Sequence, residues 1–325
     1  MIVEPYLDNS LYSLSKDISN ALNKKETERI QKDKVLLILI DGLGYSLAER
    51  INFKAEKIHS VFPTITITVL TTLLTAQPPG KHGIMGWRIF DKENGKIINL
   101  IDEYYNQSSS INPYLSEEDV ILAPALRPMI RIFSKITKNV VPYFSPWDAI
   151  SQTYEIAKKK NPRFMFLYLP FVDAVSHHFG PYSEHTLRTA KEITNLAETL
   201  ANDLKKDYSV IITADHGHIP VEGVVKLDKK EIIKRLDVPP FGDYRNLMLI
   251  TRENPSKIFE NYPVLVLKKE KLAKITGGEN VPDYAVVPTD NRLYMYWDDE
   301  EEAKHLGSHG GMNKEEIEIP LLIKQ

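Results

Sequence analysis

Val35-Leu-Leu-Ile-Leu-Ile40 runs straight into Asp41-Gly-Leu-Gly44. An apolar run of this length, with no polar break, is too short to cross a membrane and reads as a strand covered on both faces. Strands of that kind belong to largely parallel sheets flanked by helices. Two other stretches have the same form. Arg163-Phe-Met-Phe-Leu-Tyr-Leu169 leads towards Phe171-Val-Asp173, and Tyr208-Ser-Val-Ile-Ile-Thr213 leads into Ala214-Asp215-His216-Gly217. Each run is followed within a few residues by an aspartate, and open α/β sheets bind ligands beyond the carboxyl ends of their strands. Between the runs, Glu184 to Lys205 spaces its apolar residues at helical period. The fold expected is an α/β/α sandwich around a mostly parallel central sheet.

Further along, the pattern loosens. Residues 225 to 302 mix short strand and helix signals, broken by Pro239-Pro240 and Gly277-Gly278. Ile317-Glu-Ile-Pro-Leu-Leu-Ile323 then reads as core strand again. Residues 1–225 and 303–325 are therefore expected to form the core, and 226–302 a small cap inserted into it, unless the whole is one domain.

Composition narrows the chemistry. The chain has 325 residues, 42% hydrophobic and 26% charged, which is ordinary for a globular protein and excludes a disordered one. It has no cysteine, so disulfides, thiol nucleophiles and iron–sulfur clusters are excluded. Any metal must sit on His, Asp, Glu or hydroxyl oxygen. A formal net charge of -3 gives no basic excess for a standing nucleic-acid partner. The polar first twenty residues do not resemble a signal peptide, and no run has membrane-helix length, so a cytoplasmic location without membrane association is expected.

Histidine is scarce, nine in all, and uneven: His177-His178, His216 and His218, and His309 in Gly307-Ser-His-Gly-Gly311. Asp173 and His177 stand at i, i+4, on one face of a helical turn, which suits a pair of metal ligands; a surface ion pair is the plainer reading. Asp215 and His216 reach one ion only if the chain turns, as Gly217 permits; otherwise Asp215 is a helix cap. Asp41 precedes Gly-x-Gly, but Leu47 stands where a dinucleotide loop needs its third glycine. Phe62-Pro-Thr-Ile-Thr-Ile-Thr68 alternates like a strand. Alternatively, Thr66 opens a helix, where free backbone N–H groups favour anions and a metal could make its hydroxyl nucleophilic. Tyr104, Tyr105 and Trp147 could stack on a base, though such residues more often fill cores. His178 and His218 read as solvent-facing or supporting neighbours of ligands, His82 as a loop-positioning residue, and His59, His185 and His305 as surface residues.

Taken in order, Asp41 in LILIDGLG, Thr66 in FPTIT, Lys81-His82-Gly83-Ile84, Asp173-x-x-x-His177, Asp215-His216-Gly217 and Ser308-His309-Gly310-Gly311 resemble the alkaline phosphatase superfamily. More narrowly, the chain resembles its type I phosphodiesterase/nucleotide pyrophosphatase branch, over about residues 33 to 323. The resemblance implies two divalent ions, usually zinc, with manganese or another divalent metal as the alternative. One would be held by Asp41, Asp215 and His216 beside Thr66, the other by Asp173, His177 and His309. Paired ions ~3.5–4 Å apart clamp the attacking and leaving oxygens of an in-line displacement. The implied activity is hydrolysis of phosphodiester or pyrophosphate bonds in nucleotide-like small molecules, through a phospho-threonine on Thr66. Where the family has an asparagine that donates to the phosphoryl group, this chain has Trp87, with Arg88 next to it as a substitute source of charge. That departure keeps a phosphomonoesterase or phosphonate hydrolase open as the alternative, with a catalytically inactive metal-binding protein behind them.

Overall fold

The computed structural model describes residues 1–101 and 113–325; Tyr104 and Tyr105 lie outside the described residues. The first elements are helix α1 (Leu11–Leu22), strand β1 (Val35–Ile40), α2 (Tyr45–Arg50), β2 (Glu56–His59), α3 (Thr66–Thr75) and α4 (Pro79–His82). A hairpin follows, β3 (Arg88–Asp91) and β4 (Lys96–Asn99), then β5 (Val120–Pro124), α5 (Arg127–Phe133), β6 (Val140–Tyr143) and α6 (Pro146–Lys159). Next come β7 (Phe164–Leu169), α7 (Phe171–Phe179), α8 (Glu184–Leu204) and β8 (Ser209–Thr213).

The main sheet has seven strands: β2, the C-terminal strand Glu318–Lys324, β8, β1, β7, β5 and β6, in that spatial order. β1 pairs in parallel with both β7 and β8, β5 pairs in parallel with β6 and β7, and only the C-terminal strand runs against its neighbours. Every residue of β1, β7 and β8 is buried, as expected when helices cover both faces. α1 packs on α3, while α8 packs on α2, α6 and α7. Serines start three of these helices: Ser10, Ser145 and Ser183 each accept from backbone N–H groups in the first turn that otherwise lack partners.

Residues 226–302 contribute to a second, six-stranded sheet, ordered Val264–Lys268, Tyr284–Pro288, Asn246–Leu249, Phe241–Asp243, β3, β4. Its strands all pair antiparallel. Two of its strands come from residues 88–99, upstream of the inserted segment, because Arg88 pairs with Gly242 and extends the sheet. The tight turn at Tyr244-Arg245, between paired Asp243 and Asn246, points this sheet at the loop carrying His309. Among the described residues no helix is long and apolar enough to cross a membrane.

Candidate active site and metal centre

Three adjacent strands deliver the acidic residues. Asp41 follows β1, Asp215 lies two residues past β8, and Asp173 sits in the first turn of α7, just after β7. The ends are tied together through the backbone: the Asp41 N–H donates to Leu169 O at 3.0 Å, and the Asp173 N–H donates to Asp41 O at 3.0 Å. This close approach requires glycine next door. Gly42 has φ +76°, and a Cβ there would lie 2.8 Å from Asp173 Cα and 2.9 Å from His218 Nε2. Gly42→Ala is expected to cost about 1–3 kcal/mol through backbone strain and displacement of Asp173. An unchanged denaturation midpoint would contradict this.

Thr66 is the first residue of α3, so the helical alternative holds at FPTIT. The alternation misleads because α3 is buried on all sides and has no polar face to give it helical period. Three of its inner hydroxyls are satisfied locally, Thr71 donating to Ile67 O, Thr72 to Thr68 O and Thr75 to Thr71 O. No side chain caps its N-terminus, so the first-turn N–H groups beside Thr66 have no side-chain partner.

Two groups of ligand-type side chains adjoin. In the first, His216 Nε2 lies 3.4 Å from Asp41 Oδ1, 3.3 Å from Asp215 Oδ2 and 3.2 Å from Thr66 Oγ1. In the second, Asp173 Oδ1 lies 3.2 Å from His177 Nε2, 2.9 Å from His218 Nε2 and 3.7 Å from His309 Nε2. The rings of His216 and His309 stack at 3.5 Å and join the groups. All seven residues singled out from the sequence as ligands or nucleophile therefore lie in one place.

Hydrogen bonds orient the imidazoles. A carbonyl only accepts, so the nitrogen facing it carries the proton. Nδ1 of His177 donates to Gly307 O (2.9 Å), that of His309 to Thr64 O (2.8 Å) and that of His216 to Gly217 O (3.2 Å). Each therefore turns Nε2 towards the cluster, the arrangement that metal-binding histidines adopt. His218 also turns Nε2 to Asp173, but its buried Nδ1 has no partner among the described residues.

The charge balance also asks for cations. Asp41 Oδ1 and Asp215 Oδ2 are buried without hydrogen-bond partners, a costly state unless something positive binds there. Burial, then the charge of Asp215, pushes Asp41 well above the ordinary carboxylate range, and burial lifts Asp215 to about 7. Burial holds His216 at about 3 and, with the neighbouring His216, keeps His309 well below its usual value, so both imidazoles are neutral. For His177, burial works downward but Asp173 outweighs it and carries the group to about 9. For Asp173, burial works upward and is outweighed by His177 and His218, which hold it well below the usual range. This donor set, carboxylate plus imidazole in both groups, fits a pair of divalent ions.

A model of the type I phosphodiesterase/nucleotide pyrophosphatase family matches residues 35–107 and 102–312. The chain belongs to that family. It is 23% identical over 280 residues to a Schizosaccharomyces pombe pyrophosphatase/phosphodiesterase, covering 78% of this chain and 57% of that protein. Against mouse ectonucleotide pyrophosphatase/phosphodiesterase family member 3 the match is 22% over 185 residues, half of this chain and 21% of the other. The chain thus spans little more than half of one relative and about a fifth of the other. Among solved structures, inactive murine ectonucleotide pyrophosphatase/phosphodiesterase 5 in complex with AMP superposes with TM-score 0.68 at 19% identity, over 89% of this chain and 87% of that one. Phosphonoacetate hydrolase of Sinorhizobium meliloti, with phosphonoformate bound, superposes with TM-score 0.65 at 15% identity over 90% of each chain.

Trp87 and Arg88, adjacent in sequence, differ in setting. Trp87 packs on the apolar cluster containing Ile65 and Ile67, which flank Thr66. Arg88 is held by the second sheet: it donates to Tyr244 Oη at 2.9 Å, lies over the Trp297 ring at 4.3 Å and stands 3.8 Å from Asp299. His82 is buried, with Nδ1 accepting from the Ile84 N–H and Nε2 facing Thr72 Oγ1, which ties the Lys81–Ile84 loop to α3.

Several site residues escaped the sequence reading. Tyr168 Oη donates to Asp41 Oδ2. His218 was expected beside a ligand, and the loop after β8 brings its ring to 5.4 Å from that of His216. His59 and His305, expected at the surface, are respectively buried against Tyr6 and half-buried near His177. Nothing local marks these two, because their partners are distant in sequence.

Proposed function

We propose that the protein hydrolyses phosphodiester or pyrophosphate bonds of nucleotide-like small molecules, with Thr66 as the nucleophile and two divalent ions, zinc by preference, as cofactors. The observation that carries this is the position of Thr66 Oγ1, 3.2 Å from His216 Nε2, beside two unpartnered carboxylate oxygens and at an uncapped helix start. Asp41, Asp215 and His216 would hold one ion next to Thr66, and Asp173, His177 and His309 the other. When bound, the ions would offset the clustered carboxylates and lower the pKa of the Thr66 hydroxyl and of water.

The protein's own groups do the rest. The backbone bonds from Gly307, Thr64 and Gly217 fix the three imidazoles before substrate arrives. The N–H groups at the start of α3, which have no side-chain partner, would donate to a phosphoryl oxygen during attack by Thr66. Thr66 Oγ forms a bond to phosphorus as the leaving oxygen departs; water then attacks the same phosphorus and returns Thr66 as a hydroxyl. Trp87 belongs in this reading as the substrate-facing side chain on the Thr66 cluster. Arg88, already facing Asp299, adds its charge from further off. Residues 226–302, joined by the β3–β4 hairpin, form the cap over the core.

A substrate panel tests the proposal. Nitrophenyl nucleoside diesters should be cleaved faster than a nitrophenyl monoester or a phosphonate. The reverse order would favour the phosphomonoesterase or phosphonate-hydrolase reading and reject the diester one.

The same charges predict a pH dependence. The raised Asp41 and Asp215 favour the metal-free fold when protonated, so their contribution is complete below the unfolded value of about 3.9, and the share of Asp215 is lost as pH rises through about 7. Metal binding needs both ionised and needs His177 deprotonated, from about 9. The rise in Tm on adding saturating zinc should therefore be larger at pH 8 than at pH 5.5. An equal or larger rise at pH 5.5 would contradict this charge account.

A further inference from the structure

We propose that Glu302 and His305, together with His177, form an outer divalent-cation site that competes with the inner groups for His177, so that excess cation inhibits the enzyme. This rests on the reading of His177 as an inner ligand. Each of the three residues offers a ligand atom within 4.8 Å of the other two. Glu302 Oε1 and His305 Nδ1 stand 3.2 Å apart, close to the spacing of two ligands on one tetrahedral ion with bonds of about 2.1 Å. His305 Nδ1 is buried and makes no hydrogen bond among the described residues, so once deprotonated it can serve as a ligand atom beside Glu302 Oε1. The His177 and His305 rings lie 4.4 Å apart.

The segment is fixed in place. The Glu302 N–H donates to Asp299 Oδ1 at 3.1 Å, and the Leu306 N–H donates to His177 O at 2.8 Å, strapping residues 302–307 to the last turn of α7. Both outer side chains keep about a quarter of their surface exposed, whereas Asp41, Asp215 and His216 are almost fully covered. The outer pair thus lies nearer solvent than the Asp41 group.

Competition follows from counting lone pairs. His177 Nδ1 is committed as a donor to Gly307 O, so one lone pair remains, on Nε2. The inner group with Asp173 and His309 and the outer pair cannot both use it. Filling the outer site draws His177 away from Asp173 and weakens the inner group.

The experiment counts zinc bound by the purified full chain at saturation, by equilibrium dialysis and elemental analysis, beside an activity titration with zinc. The wild-type protein should bind one more equivalent than Glu302→Gln and than His305→Ala. Its activity should fall at high zinc, and both variants should move that fall at least tenfold higher in zinc while matching wild-type activity at low zinc. Unfolding curves would confirm that the variants stay folded. Equal stoichiometry in wild type and variants, or an unshifted inhibition, overturns the outer site while leaving the inner reading intact. Absence of zinc binding in every form overturns both.

Discussion

Replacing Thr66 with alanine is expected to lower kcat by at least ~10³-fold while bound metal and fold stay as in the wild type. In the proposed mechanism the hydroxyl supplies the atom that bonds to phosphorus, and nucleophile deletions in hydrolases that work this way cost several orders of magnitude, leaving only what binding and charge stabilisation supply. The ligand groups survive the change, because Asp41, Asp215 and His216 come from other segments and α3 takes no side-chain cap from Thr66. Elemental analysis and a thermal unfolding curve run beside the kinetics separate loss of chemistry from loss of structure. Thr66→Ser, which restores a hydroxyl, should recover much of the activity. Turnover by Thr66→Ala within tenfold of wild type would remove Thr66 from the mechanism.

The second large effect is structural and lies behind the site. Glu316 is completely buried and accepts four hydrogen bonds: from Arg245 Nε (3.0 Å), Arg245 Nη2 (3.1 Å), Gly311 N (2.9 Å) and Asn313 N (2.9 Å). Arg245 is also buried and donates to the carbonyls of Asp290 and Arg292. One ion pair thus joins the second sheet to the loop carrying His309. Thr64 and Asn246 hold the same loop, Thr64 donating to Gly311 O and Asn246 to Gly310 O. Glu316→Ala leaves a buried guanidinium without its partner and should cost about 3–5 kcal/mol. The double change Glu316→Leu with Arg245→Met should cost less than Glu316→Ala, because no charge is left stranded. Denaturant unfolding measures both. A single change costing under about 1 kcal/mol would show that the pair does not hold the fold.

Much of the fold is legible in local pattern. β1, β7 and β8 are uninterrupted apolar runs, and Asp41 and Asp215 follow two of them directly. The i, i+4 spacing of Asp173 and His177 gives their shared face as soon as the segment is helical, and α7 makes it so. The FPTIT segment was undecided, since period-2 alternation says strand and only complete burial of the helix explains why it does not apply. In sequence, residues 226–302 read as an inserted cap or as part of a single domain, and neither reading includes the β3–β4 hairpin that the pairing of Arg88 with Gly242 brings into their sheet; such pairing leaves no mark on either segment alone.

By itself, the order of residues determined which side chains can ligate, which strands carry them and at which sheet edge they emerge, because strand burial and helical spacing are short-range properties. Only the tertiary structure decided which imidazole nitrogen faces the centre. That depends on whether a carbonyl from Gly307, Thr64 or Gly217 captures the other nitrogen, and two of those three partners are more than a hundred residues away. The same holds for Arg245 with Glu316, and for His305 beside His177. Contacts between distant segments arise from packing in three dimensions, and no local pattern encodes them.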